Sequence, residues 1–141
     1  MKQHILIGEL LVKCGAVQQK QVDDALALQK ITKRRLGKIL LGLGYVDSQM
    51  LTQKLGDQAG IPFIELQPDI LNKELIRSFP FGLLYENIVL PLYEINDKLH
   101  FAIGDPTNQQ VVNKLKKYTK KEIVLACAEP LEIVRLLVKK S

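Results

Sequence analysis

The sequence has no tryptophan, two cysteines, two histidines and two methionines in 141 residues, and its aromatic residues amount to 6%. Cys14 and Cys127 lie far apart, without the paired spacing of a zinc site or a disulfide framework. A reduced, cytoplasmic compartment is therefore expected, with no metal and no cofactor. His4 and His100 are too sparse for a histidine-based metal site or a catalytic triad. Cys14 reads as a small apolar residue of an amphipathic helix, and His100 as an outward-facing residue of a strand. No apolar run approaches the roughly 20 residues of a membrane span, and Met1-Lys2-Gln3-His4 leads into a patterned segment rather than a secretory signal. A phosphate-binding loop is missing too. Gly37-Lys38 is followed by Ile39, and Thr32 stands where the first glycine of that motif belongs. The chain is thus excluded as a P-loop ATPase by itself and reads as a binding module, not an enzyme.

What is present is an ordinary globular composition, 47% hydrophobic and 25% charged. The net charge of +5 permits an anionic partner without requiring one. The length suits one domain or two small subdomains.

The first half repeats itself. A shift of 29 residues lays Leu6-Ile7-Gly8-Glu9-Leu10-Leu11 over Arg35-Leu36-Gly37-Lys38-Ile39-Leu40. Gly15 then falls on Gly44, Val17 on Val46, Val22 on Leu51, Leu26 on Leu55 and Gln29 on Gln58, with Lys30 to Arg34 as spacer. Each unit reads as a helix hairpin. Ile7, Leu10, Leu11 and Cys14 recur at helical spacing before Gly15, and Leu36, Ile39, Leu40 and Leu43 before Gly44. Both glycines suit the left-handed residue that ends a helix. Val22, Ala25, Leu26 and Gln29 share a face of the next helix; Met50, Leu51 and Leu55 do so in the second copy, where Asp47 is a good cap and Gly60-Ile61-Pro62 closes. Gln18 is a poorer cap. Gly8 and Gly37, near helix starts, cost about 1 kcal/mol each against alanine if helical. Two uses account for the pair: close helix packing, or approach of a ligand to bare backbone amides.

The second half reads as a small α/β unit. Pro62 to Pro68 is an extended connector, and Leu71 to Phe79 a short helix capped by Asn72 and stopped by Pro80. Ile88 to Tyr93 is a strand that Pro91 places near an edge or bulge. Asn96-Asp97 turns it into a second strand, Lys98 to Ile103. After Gly104-Asp105-Pro106-Thr107-Asn108 come a helix through about Tyr118, a strand from Glu122 to Ala128, and a helix from Pro130 to about Val138. Asp105 suits a cap or turn. The run Lys114, Lys116, Lys117, Lys120 and Lys121 reads as a solvated face, not a nucleic-acid platform. The expected fold is α+β. A helical subdomain (1–61) with two 24-residue units is followed by a connector (62–70), then by an α/β subdomain (71–141) with a short mixed or antiparallel sheet.

These residues resemble the MshEN-type N-terminal domain of type II secretion and type IV pilus assembly ATPases. That family carries two tandem motifs, Arg-Leu-Gly-x-x-Leu-x-x-x-Gly followed by x6-Leu-x-x-x-Leu-x-x-Gln, with a five-residue spacer. The second copy matches throughout, at Arg35, Leu36, Gly37, Leu40, Gly44, Leu51, Leu55 and Gln58. The first has Ile7, Gly8, Leu11, Gly15, Val22, Leu26 and Gln29, but begins with Leu6 instead of arginine. The Gly-Asp-Pro-Thr segment resembles the family's Asp-Pro turn.

The resemblance implies binding of cyclic di-GMP. Ile7, Leu11, Leu36, Leu40, Leu51 and Leu55 would then offer apolar surface to the guanines, Gln29 and Gln58 amides to the base edges, and Val22 and Leu26 would belong to the same site. Gly8 and Gly37 would open their backbone, the Arg35 guanidinium would hold phosphate or a guanine edge, and Asp105 would join the site. It also implies a regulatory role beside a secretion or pilus ATPase domain, peripheral to the membrane through partners, with no DNA or RNA. Leu6 removes one charge from the first half-site. The alternative is a docking domain, without nucleotide, that links such an ATPase to its inner-membrane platform protein. Met1 reads as a native start, and Val138 to Ser141 as the beginning of a linker to an ATPase domain.

Overall fold

The computed structural model describes residues 7–140. His4 and Leu6 lie outside the described residues. Four helices come first: α1 (Ile7–Lys13), α2 (Gln19–Thr32), α3 (Leu36–Gly42) and α4 (Ser48–Ala59). Each repeat copy is one hairpin of helices, and the two copies end their first helix in the same way. Gly15 and Gly44 take φ of +80° and +76°. This lets the Ala16 N–H donate back to the Leu11 carbonyl and the Tyr45 N–H to that of Leu40, both at 3.0 Å. Because α1 stops at Lys13, Cys14 falls in the following turn and is exposed. The expected apolar helix position is therefore corrected to a solvent-facing turn residue.

Asp47 caps α4 as its residue type requires, its Oδ1 accepting the Met50 N–H at 2.7 Å. At α2 the help comes from the other side: Gln21 Oε1 accepts the Gln18 N–H at 2.8 Å. The hairpins bury Leu11, Val22, Ala25, Ile39, Leu40 and Leu51 in a core of their own. Each fully buried leucine there contributes about 1.5–3 kcal/mol.

Residues 62–64 are extended and pair with the sheet. Phe63 bridges Cys127 in parallel; Cys127 N–H donates to the Pro62 carbonyl at 2.8 Å, and Ile64 N–H to the Cys127 carbonyl at 2.9 Å. A 3₁₀ turn (Pro68–Ile70) leads into α5 (Lys73–Arg77) and α6 (Phe81–Asn87). Asn72 Oδ1 accepts the Glu74 and Leu75 N–H groups, as a cap should. The helix expected over Leu71 to Phe79 is shorter, since Pro80 both stops it and opens α6, which the sequence pattern had not suggested.

The sheet is mixed. β1 (Val89–Ile95) pairs antiparallel with β2 (Lys98–Ile103), and β2 pairs parallel with β3 (Glu122–Cys127). Pro91 sits on the edge strand, beside a bulge that shifts register between Pro91 and Tyr93. His100 stacks on Tyr93 at 5.0 Å. α7 (Val111–Leu115) ends before the expected Tyr118, and α8 (Pro130–Lys140) closes the fold. The fold is α+β, with a second core around Leu90, Phe101, Leu115, Ile133 and Leu137.

Candidate ligand-binding site

A cavity of about 510 Å³ lies between the helical half and the α/β half, inside the size range of small-molecule sites. Its walls come from both copies of the repeat. Ile7 faces it with its counterpart Leu36, Leu26 with Leu55, and Gln29 with Gln58, three pairs separated by the same 29 residues. The second copy also contributes Arg35, Gly37 and Leu51 among its motif residues. From the α/β half come Gly104, Asp105 and Thr107, in the loop that follows β2, and Pro130 at the start of α8.

Other singled-out residues are not brought there. Leu11 and Leu40 are fully buried in the helical core and Val22 nearly so, hence they present no surface to the cavity. Gly8 is buried by packing: a Cβ on it would stand 3.0 Å from Leu36 Cδ2 and from Val22 Cγ1. Gly37 lines the cavity and is also closely packed, since a Cβ added to it would stand 3.1 Å from Leu51 Cδ1. Leu6 lies outside the described residues.

Arg35 is the polar hinge of the mouth. Its Nη1 donates to Asp105 Oδ2 at 3.3 Å and to Thr107 Oγ1 at 2.9 Å. Asp105 also shapes its own turn, Oδ1 accepting from the Thr107 N–H at 3.0 Å and from Thr107 Oγ1 at 2.5 Å. The Arg35 side chain is 71% exposed and that of Asp105 41%, so the pair is held in water and contributes little to stability. The two glutamines differ. Gln29 Nε2 donates to the Arg34 carbonyl at 3.0 Å, whereas the half-buried Gln58 amide has no hydrogen-bond partner among the described residues.

Lys38, Leu41, Ser48, Thr52, Gly104, Thr107 and Pro130 line the cavity and were missed by motif reading. Lys38 and Leu41 share helical spacing with Arg35 and Gly37, but Leu40 lies at equivalent spacing and is buried in the core, so spacing alone did not select them. Thr107 and Pro130 were not legible either, because tertiary packing alone brings them in. Ser48 Oγ is tied to Glu129 Oε1 at 2.7 Å, a second link between the halves.

Apolar walls, a few convergent polar groups and a duplicated helical scaffold thus meet in one cavity of an α+β domain. The family model of the MshEN domain matches residues 59–139, and the chain belongs to the MshEN domain family. The type IV pilus assembly ATPase PilB of Myxococcus xanthus is 28% identical over 127 residues, 90% of this chain and 22% of that protein. PilB of Thermus thermophilus is 26% identical over 117 residues, 81% of this chain and 13% of that protein. The chain thus spans about a fifth or less of the length of these curated relatives. Among solved structures, MshE with cdg superposes with a TM-score of 0.81 at 25% identity, covering 100% of both chains. The N-terminal domain of XpsE shares the fold, with a TM-score of 0.75 at 18% identity over 99% of this chain and 98% of that one. No helix among the described residues is long and apolar enough to cross a membrane.

Proposed function

We propose that this chain is a cyclic di-GMP-binding regulatory domain that acts beside a pilus or secretion ATPase. One observation carries the reading. A ligand made of two equal halves suits a cavity whose walls are Ile7 with Leu36, Leu26 with Leu55 and Gln29 with Gln58, equivalent residues of two copies of one unit. The leucines offer flat apolar surface to the bases, the free Gln58 amide offers a donor and an acceptor to a base edge, and Arg35 offers a charged fork. The likeness to MshE with cdg, taking cdg as cyclic di-GMP, supports the same reading.

Arg35 rearranges or extends its hydrogen bonds in this scheme. Ligand oxygens replace Asp105 and Thr107 at its guanidinium, or join them through the remaining N–H groups. Calorimetric titration with cyclic di-GMP tests the reading; about one ligand per chain is expected. Arg35→Ala should weaken binding by about 1.5–3 kcal/mol without lowering the melting temperature appreciably. A flat titration of the wild type at high micromolar protein would favour docking to the ATPase's inner-membrane platform without nucleotide, the reading that Leu6 in place of a first motif arginine also suits.

A further inference from the structure

The two copies of the repeat are not equal in charge. Arg35 has Leu6 as its counterpart 29 residues earlier, so one copy brings a guanidinium and the other an apolar side chain. The cavity nonetheless holds a second cation. Lys38 lines it from α3, one helical turn beyond Arg35. Its own counterpart in the first copy is Glu9, which does not line the cavity.

The two cations stand in different states. Arg35 is engaged by Asp105 and Thr107. Lys38 is exposed and has neither an ion pair nor a hydrogen bond from its side chain among the described residues. Asp105 is the one carboxylate among the lining residues, and it is committed to Arg35. The lining residues therefore carry one uncompensated positive charge, and it sits on Lys38. The backbone around it adds no relief: from Ala25 to Val46 the sequence holds five cationic residues and no Asp or Glu.

We propose that Lys38, and not a second arginine at the head of the first copy, supplies the second positive charge that a bis-phosphate ligand meets in this cavity. The inference rests on the cyclic di-GMP reading and extends it. A primary ammonium on a flexible stem reaches a phosphate as a point charge and needs no fixed fork geometry, so it substitutes for a missing guanidinium from a different backbone position. Arg35 then orients one half of the ligand, and Lys38 neutralises the phosphate that the first copy leaves unpaired.

The experiment is titration of cyclic di-GMP into wild type, Lys38→Gln, Lys38→Arg and Lys117→Gln at low and at high salt. Lys117 lies outside the cavity and controls for net charge. Lys38→Gln is expected to weaken binding about tenfold at low salt and to flatten the salt dependence. Lys38→Arg should bind within a few-fold of wild type, and Lys117→Gln like wild type. All four should melt together, since both lysines are exposed. If the wild type binds and Lys38→Gln matches it in affinity and salt dependence, the assignment of Lys38 is overturned while the cyclic di-GMP reading stands. If Lys117→Gln weakens binding as much as Lys38→Gln, the effect is one of general charge and the assignment falls. If the wild type itself does not bind, the underlying reading fails and takes this inference with it.

Discussion

At the scale of single residues, Gly56 is hemmed in by backbone as well as by a side chain. A Cβ there would lie 2.7 Å from Cys127 Sγ and 2.7 Å from the Ile61 carbonyl oxygen, and the second of these is backbone that cannot swing away. Gly56→Ala should therefore lower stability by about 1–3 kcal/mol in urea denaturation. Gly42, with nothing within 4 Å of an added Cβ, is the opposite case, and Gly42→Ala should stabilise by about 0.5 kcal/mol. Cys127 itself titrates abnormally. Burial, helped by the nearby Asp57 carboxylate, pushes its thiol up to about 11 from an ordinary 9.0. The native state thus holds this proton more firmly than the unfolded chain does. Its contribution to stability is complete below pH 9.0 and is lost as pH rises through about 11. Melting curves across that interval should fall less steeply for Cys127→Ala than for the wild type.

At the scale of elements, short devices decide what forms. Asn72 holds the start of α5 with two hydrogen bonds, so Asn72→Ala should cost about 1 kcal/mol. In the β1–β2 hairpin both turn residues are left-handed, Asn96 at φ 52° and Asp97 at φ 66°. An Asn-Gly pair fits such a turn better, and Asp97→Gly should raise stability by about 0.5 kcal/mol in a thermal melt. Elements of this kind were legible in the sequence, because a proline, an Asn-Asp pair or a glycine in register with another glycine acts locally. The repeat made the helical half readable for that reason. α6 was not readable: it spans only Phe81–Asn87 and starts directly at a proline already assigned to stopping its predecessor. The early end of α7 and the exposure of Cys14 escaped for a related cause, since apolar spacing continues past the point where the backbone leaves the helix.

At the scale of the whole molecule, the motif residues separate into those that build and those that face the cavity. The sequence presents Leu36 and Leu40 alike, yet Leu36 lines the cavity and Leu40 is sealed in the core. Which side of a helix meets a second subdomain depends on where that subdomain docks, and spacing within one helix does not carry that information. Docking here is held by Arg35 with Asp105 and Thr107, by Ser48 with Glu129, and by the connector on β3. The polar links are modest individually, so Asp105→Ala should leave the melting temperature within a few degrees of wild type.

The pairing of the connector with β3 has a consequence for deuterium exchange. The amide hydrogen of Cys127 is held by Pro62, and that of Ile64 by Cys127. Neither is released to solvent until the connector lifts from the strand, so their exchange times that local parting, whereas amides of the β1–β2 ladder time the opening of the sheet. A molecule lodged between the two halves should slow the first pair and leave the second unchanged. Two amides that touch no ligand thereby serve as a clock for the occupancy of the cavity.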